Sequence, residues 1–513
     1  MRVVLVNPPK TEYERDEIAP PLGLLRLAAV AREAGASVAV EDYNLLYHLL
    51  PELRENFYEA AVSRLEALDA DVYGFTSMAV DSHVALSLAR RLKESRPSRI
   101  TLFGGPHFSS LAQVLKSRYA WVDSVIAGEG ERPFLQFIRG QLGRPDLTVL
   151  PGTAESRIQP KPDYSSVHLP AYFHVNPNRV LNYEANRGCR YKCTFCYSPG
   201  FYSSARDYAV ETIVEDLAEM RALGARRVFL VGDNLLNHRA WVERLCSELQ
   251  GARLGLDWYC YATLPDLTED IAIQMGRAGC TQVFMGIDVV GRASERHFHK
   301  AFLRHETDLE RRIRSLRNHG IENPTCGFIL CPPSHLGSSD WESTVAAALR
   351  ARRAGAQVLF NTLNLYAGTE AYRNQSVTHE ADFVQSNLLL DVPTILHENP
   401  YAFDHPEAFP FHSRYVEASE WRDFMHLAHC LHTLVNSFPI DLQTAWEQSG
   451  ISPIDVARSV LERVGDLLRL KSQERRKAEQ VEALRLLGDL AARRGAGLKN
   501  EDALIGSTGQ GFW

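Results

Sequence analysis

Over its first 140 residues the chain alternates short apolar runs with longer stretches of helical spacing. Val3 to Val6 is an unbroken apolar run of buried-strand length. Leu22 to Ala36 follows Pro20-Pro21 and repeats its apolar residues at helical spacing. Further strands are predicted at Ser37–Val40, Val72–Thr76, Ile100–Phe103 and Val122–Ala127, with helices near Val84–Glu94 and Arg132–Leu142. Strands alternating with helices predict a doubly wound parallel sheet. The alternation stops over residues 150–170, where Pro151, Pro160, Pro162 and Pro170 read as a linker, and then resumes. Arg227–Val231, Leu256–Ala262, Gln282–Ile287, Thr325–Leu330 and Val358–Asn364 are predicted strands with helical stretches between them, the count of a partial (β/α)6 barrel. Beyond residue 375 the pattern is mainly helical. Ser452 suits a helix cap and Pro453 its first turn. Val456, Val460, Leu461, Val464, Leu467 and Leu468 then form one apolar face. The expected fold class is therefore α/β. It comprises a Rossmann-like unit over 1–150, a linker over 151–179, a partial barrel over 180–375 and a mostly α unit over 376–513.

Parallel sheets bind ligands beyond the carboxyl ends of their strands. Those ends carry Asp42-Tyr43-Asn44, Thr76-Ser77-Met78, Gly104-Gly105-Pro106-His107 and Gly128-Glu129-Gly130-Glu131. Paired glycines let a bulky ligand come close to the backbone. Taken singly, each of these segments is equally a simple turn.

Composition narrows the function. A chain of 513 residues, 45% of them hydrophobic, is long enough for about three domains. It has no apolar run of the roughly 18 residues that a membrane span needs. The N-terminal apolar run is too short for a signal peptide. The net charge of −7, with no basic stripe, disfavours a nucleic-acid partner. Nine cysteines without paired spacings fit a reducing cytoplasm.

Three of those cysteines dominate the chemistry. Cys189, Cys193 and Cys196 stand in a C-x3-C-x2-C pattern within a polar loop containing Gly188, Arg190 and Lys192. Structural zinc asks for four closed ligands, often as two cysteine pairs, and there is one triplet here. Three close thiolates suit three irons of a four-iron, four-sulfur cluster and leave the fourth iron open.

This triplet, with Phe195 before its last cysteine, resembles the radical S-adenosylmethionine (SAM) superfamily. The resemblance implies that SAM chelates the open iron and is cleaved reductively to a 5'-deoxyadenosyl radical. It also implies SAM contacts from Asp233 in Gly232-Asp233-Asn234, from Tyr261, and from Asp288 in Gly286-Ile287-Asp288. Cys331-Pro332-Pro333 and Leu365 to Glu370 resemble later strand-end segments of that family. The N-terminal strand ends, together with Asn7-Pro8-Pro9 and Pro20 to Leu24, resemble the cobalamin-binding domain found before many such barrels. Ser77, Gly104, Gly105 and Glu129 are then the candidate cobalamin contacts. One departure stands out. Many cobalamin domains carry Asp-x-His-x-x-Gly, and here the stretch runs Asp42-Tyr43-Asn44-Leu45-Leu46-Tyr47. A neutral amide is a poor cobalt ligand, so no histidine is expected under the metal. His48 reads as a surface residue of the next helix. The aromatic and histidine-rich segment from Tyr401 to Tyr415 suits either core packing or a substrate wall.

The order of these units resembles the cobalamin-dependent radical SAM enzymes. That implies a 4Fe-4S cluster, SAM and methylcobalamin as cofactors. It further implies methyl transfer to a substrate radical at an unactivated carbon, a small-molecule or peptide substrate, and an electron donor such as flavodoxin or ferredoxin. An enzyme that cyclises, oxidises or rearranges its substrate without methyl transfer would share every motif. A methylthiotransferase acting on tRNA would carry cluster cysteines ahead of the triplet, and the first 188 residues hold none. A corrinoid carrier would not need the triplet at all.

Overall fold

The computed structural model describes residues 1–9, 18–79, 81–140, 149–151, 160–291, 298–300, 306–332, 334, 338–374, 378–379, 413–414, 416–464 and 472–492. The first sheet contains β1 (Arg2–Asn7), β2 (Ser37–Asp42), β3 (Val72–Thr76), β4 (Ile100–Gly104), β5 (Ser124–Ala127) and β6 (Val149–Pro151). All pairs are parallel and the order is β2-β1-β3-β4-β5-β6. The chain therefore reverses direction across the sheet beside β1 and β3, the place where such sheets open a ligand crevice. Strand β6 lies where the prolines predicted only linker. It holds an edge position, which tolerates Pro151 because one side of the strand needs no partner.

The linker is more ordered than its composition suggests. Leu169–Val175 forms a helix whose Tyr172 is almost wholly buried. The Tyr172 hydroxyl donates to Asp42 Oδ2 at 2.5 Å, and Asn7 Nδ2 donates to Asp42 Oδ1 at 2.7 Å. The carboxylate at the end of β2 is thus fully engaged.

The second sheet begins at β7 (Val180–Glu184). A short ribbon of β8 (Asn186–Arg187) and β9 (Arg206–Asp207) follows, then β10 (Arg227–Val231), β11 (Asp257–Ala262), β12 (Cys280–Gly286), β13 (Asn323–Leu330) and β14 (Gln357–Thr362). The six parallel strands run β14-β13-β12-β11-β10-β7, each beside its sequence neighbour, as a partial barrel requires. A small ribbon of β15 (Thr378–His379) and β16 (Ser413–Arg414) lies outside it.

An incomplete barrel leaves strand edges with unpaired peptide groups. The helix Ala418–Ser437 covers the edge at β14. Asn436 Nδ2 donates to the Val358 carbonyl at 2.9 Å, and the Val358 N–H donates back to Asn436 Oδ1 at 3.4 Å. The Phe360 N–H donates to His432 Nδ1 at 3.4 Å. Helices Pro453–Val464 and Ser472–Ala492 pack onto this one. Val456, Val460 and Leu461 face the barrel's hydrophobic core. Leu467, Leu468 and most of the 401–415 segment lie outside the described residues.

The two sheets are joined by buried charge. Arg187, 6% exposed, pairs with Glu129 at 2.6 Å, with Glu184 at 2.7 Å, and with Glu131. Arg206 also reaches Glu129 at 2.6 Å, and Arg26 pairs with Glu184. Arg26 and the two carboxylates Glu129 and Glu131 belong to the first sheet's half. Glu184, Arg187 and Arg206 belong to the second.

Two outcomes follow from this network. Arg187→Ala strands buried carboxylates and is expected to cost about 3–5 kcal/mol, read by urea unfolding at neutral pH. Burial pushes the Glu131 carboxyl up, but Arg187 outweighs burial and holds it below its ordinary value of 4.5. A carboxyl depressed in the folded state contributes stability that is complete above its unfolded value. That contribution is lost as pH falls through the lower folded value. Glu131→Gln should therefore flatten the decline of stability below pH 4.5; an unchanged acid limb would refute the coupling.

Candidate functional site

The cysteine loop leaves the ribbon strand β8 at Gly188, whose φ of +73° belongs to the left-handed region. A side chain there would press on the Ser204 carbonyl, 2.6 Å from an added Cβ, so glycine is required. Asparagines brace the loop. Asn186 Nδ2 donates to the Asn234 carbonyl at 2.9 Å, and Asn237 Nδ2 donates to the Gly188 carbonyl at 2.8 Å. The Arg190 N–H donates to Asn237 Oδ1 at 3.1 Å, while its guanidinium pairs with Asp266. Asn186 also crowds Gly232, where a Cβ would collide with its amide oxygen. The glycine before Asp233 is thus explained by packing. Motif matching pointed to Gly232 and Asp233 but passed over Asn186, Asn234 and Asn237, whose role depends on contacts across the barrel mouth.

All three cysteines are free thiols, partly buried at the barrel mouth. Burial raises each thiol above its ordinary value, Cys196 to about 12. Among the described residues no three His, Cys, Asp or Glu side chains converge on one metal ion. A four-iron cluster asks for a different arrangement, with one thiolate per iron.

Asp233 sits beside Cys189 and Cys196 and accepts a hydrogen bond from the Ser198 hydroxyl at 2.9 Å. Burial raises its carboxyl, partly offset by Ser198. Tyr261 stands inside the barrel, edge-on to Phe229 at 4.9 Å and to Phe284 at 5.3 Å. Asp288 has a φ of +61°, uncommon for a residue with a side chain. The N–H groups of Ile287 and Asp288 both donate to the Gly327 carbonyl, at 2.8 and 3.0 Å, which holds that turn. Its carboxylate pairs with Lys300, a residue that no sequence motif singles out. Lys300 is 6% exposed, donates to the Gly286 carbonyl at 2.9 Å and lies 6.0 Å from the centre of the Phe195 ring. Burial lowers its ammonium to about 8, against the opposing pull of the three cysteines. A lone lysine beyond the end of a strand gives no sequence signal. Only the fold carries it to the cysteines.

The other half of the site is a cleft of about 420 Å³ along the carboxyl edge of the first sheet. Gly104, Gly105, Gly128 and Gly130 line it, as do Glu129 and Met78. Glu184, Arg187, Phe201 and Tyr202 from the barrel's side close it, residues that flank the cysteine loop in the chain on either side. Gly105 has a φ of +96°, and a Cβ there would lie 2.7 Å from Thr76 Oγ1. The Glu129 carboxylate is taken by Arg187 and Arg206, which makes it a brace of the cleft wall. Ser77 is fully buried, and its hydroxyl donates to Asp81 Oδ1 at 2.7 Å in the loop that follows β3.

Two family models match the chain: the B12 binding domain over residues 14–138 and the radical SAM superfamily over residues 183–339. The chain carries a B12-binding domain ahead of a radical SAM domain. The chain is 28% identical to the hopanoid C-3 methylase of Methylococcus capsulatus over 45% of its length and 46% of the methylase. It is 25% identical to the anaerobic magnesium-protoporphyrin IX monomethyl ester cyclase of Rubrivivax gelatinosus over half of each chain. It spans about half to two thirds of four of the curated relatives it matches and a quarter of two others. Its fold is shared with the solved radical SAM methyltransferase TsrM from Kitasatospora setae, with a TM-score of 0.62 at 15% identity over 94% of this chain and 99% of that one. No described helix is long and apolar enough to cross a membrane.

The Lys300–Asp288 pair yields a direct check. Asp288→Ala leaves a buried ammonium without its carboxylate and should cost about 3–5 kcal/mol in urea unfolding. Replacing both, as Asp288→Ala with Lys300→Met, should recover most of that loss. Equal instability of the single and double variants would show that the pair is not coupled.

Proposed function

We propose that this protein is a cobalamin-dependent radical SAM methyltransferase acting on an unactivated carbon. The observation that carries the reading is a glycine-edged cleft whose barrel-side wall, Arg187, Phe201 and Tyr202, flanks the three-cysteine loop in the chain. A corrin held in that cleft would lie beside the segment that carries the three cysteines, where SAM would be held. The unit over 1–150 would bind cobalamin, 151–179 would link, 180–375 would form the radical SAM barrel, and 376–513 would contribute to substrate recognition. Several relatives are named as methyltransferases, which supports methyl transfer.

The residues present fit the cofactors. Cys189, Cys193 and Cys196 would each hold one iron, and deprotonation on binding iron overcomes the burial that raises their thiols. Asp233, beside two of them, would accept the amino group of SAM. Lys300 would meet its carboxylate, releasing Asp288, and Tyr261 and Asp288 would face the rest of the molecule. Gly104 and Gly105 would let the corrin's side chains approach the backbone. When bound, these cofactors supply a carbon-centred radical and a transferable methyl group, chemistry the protein itself lacks. The protein's own task is to hold the groups at fixed separation, which the buried ion pairs across the cleft perform. A small-molecule or peptide substrate, a flavodoxin or ferredoxin donor and a cytoplasmic setting belong to the same proposal.

A second reading, ring closure or oxidation without methyl transfer, is favoured by the cyclase relatives alone. The test is anaerobic purification with cobalamin, with metal analysis of the wild type and of the Cys189/Cys193/Cys196→Ala variant. Iron of a four-iron cluster and one cobalt per chain are expected, and the variant should lose iron alone. A product heavier than substrate by one CH2, the methyl having replaced the abstracted hydrogen, supports methylation, whereas a product without that gain supports the second reading. Zinc in place of iron overturns both. Lys300→Met should raise the KM for SAM at least tenfold with cluster iron retained; an unchanged KM removes Lys300 from the SAM site.

A further inference from the structure

Lys300 reaches the cysteine loop from a segment that is fastened to that loop. The Thr194 N–H, between Cys193 and Cys196, donates to the Phe298 carbonyl at 3.4 Å. The buried Phe298 ring meets Phe195 edge-on at 5.4 Å. Phe298 also belongs to a small hydrophobic core with Val289, Cys331, Leu363 and Leu365, against which Phe195 packs. Two residues beyond this anchor, the Lys300 ammonium lies 6.0 Å from the centre of the Phe195 ring. The Gly286 carbonyl at 2.9 Å and the Asp288 carboxylate accept hydrogen bonds from it.

The charges around the loop are unequal in effect. Lys192 is exposed, and Arg190 is half exposed and paired with Asp266, so water screens both. Lys300 is buried, where a charge acts through a medium of low dielectric. Burial raises the thiols of Cys189 and Cys193, and the Lys300 ammonium pulls both back down. The carboxylates that act most on these thiols in the opposite sense are Asp233 and Asp266. The Lys300–Asp288 pair therefore presents its positive end to the sulfurs.

We propose that Lys300 sets the reduction potential of the iron–sulfur cluster, its buried charge favouring the reduced state and so raising the potential. The proposal rests on the reading that Cys189, Cys193 and Cys196 hold a 4Fe-4S cluster. Three thiolates give such a cluster a net negative charge, and the arriving electron makes it more negative. A fixed cation nearby lowers the cost of that step, and net charge is one of the levers on cluster potential. In the step itself one electron leaves a donor of the flavodoxin or ferredoxin class and enters the cluster. The donor is oxidised, the cluster is reduced, and no bond or proton changes hands. This effect belongs to the SAM-free protein and is distinct from a contact with the SAM carboxylate.

The experiment uses the full chain with its cluster rebuilt anaerobically, without SAM or cobalamin. Iron content is measured, and the electron paramagnetic resonance of the reduced cluster is followed against potential with dithionite as reductant. The proteins are the wild type, Lys300→Met, Lys300→Arg and the double variant Asp288→Ala with Lys300→Met. A four-iron signal in the wild type secures the underlying reading; its absence sinks that reading, and this proposal with it. With the cluster present, the Lys300→Met midpoint should shift to lower potential, and Lys300→Arg should restore the wild-type value. Water admitted by a packing defect would favour the more negative state and shift the midpoint upward, so the sign separates charge from packing. An unshifted or raised Lys300→Met midpoint overturns the proposal, as does a Lys300→Arg midpoint as low as that of Lys300→Met. If Lys300→Met alone does not hold its cluster, the double variant, freed of the stranded carboxylate, decides. A lowered midpoint there supports the proposal, and a wild-type midpoint overturns it. Loss of iron from the double variant as well would make Lys300 a structural prop of the loop and overturn it equally.

Discussion

The buried guanidinium of Arg187 is the interaction on which the rest of this structure depends. It sits where two parallel sheets meet and touches Glu129 and Glu131 from one half and Glu184 from the other. A buried charge is costly unless it is paired, and here the pairing can be satisfied only when both halves are in place. Arg26 and Arg206 extend the same logic, each reaching a carboxylate of the opposite half. Away from the charges, Ala367 joins the hydrophobic core of the first half, and Gly368 comes so close to Ser110 that no side chain would fit. The cleft is therefore held between an ionic contact and a close-packed one. Chemistry divided between a sheet edge and a barrel mouth needs a fixed separation, and this pair of contacts supplies it.

Burial also sets the character of the barrel mouth. The thiols of Cys189, Cys193 and Cys196 are raised, the Asp233 carboxyl is raised and the Lys300 ammonium is lowered, each with burial as its largest cause. Burial thus disfavours the charged form of each of these groups. Lys300 and Asp288 satisfy one another meanwhile, with Asp288 held in a left-handed turn by the Gly327 carbonyl. A site of this kind discriminates by charge, because an ion that enters replaces partners instead of water.

Much of the architecture was legible because it depends on local rules. Apolar runs such as Val3–Val6 and Val72–Thr76 have no other way to be buried than as central parallel strands. The three cysteines point to their chemistry by spacing alone. Asn44 at the histidine position of the Asp-x-His pattern rules out that imidazole by its identity alone. What escaped was the strand Val149–Pro151 within a proline-rich stretch, and the helix Leu169–Val175, whose Tyr172 closes over Asp42. Ser77 was legible as a strand-end residue, but its orientation toward Asp81 was not.

The boundary between the two kinds of knowledge follows from the range of the forces. Element type and the identity of the cluster loop follow from neighbours close in sequence: periodicity, glycine and proline positions, and a run of eight residues with three thiols. Lys300 beside the cysteines, Arg187 between three carboxylates, Asn436 at the edge of β14 and Met78 in the cleft involve partners far apart in the chain or the shape of a surface. Such pairs carry no periodic signal, since any loop residue of the right charge or size would read the same. Only the closure of the two sheets upon each other decides which residues stand next to which.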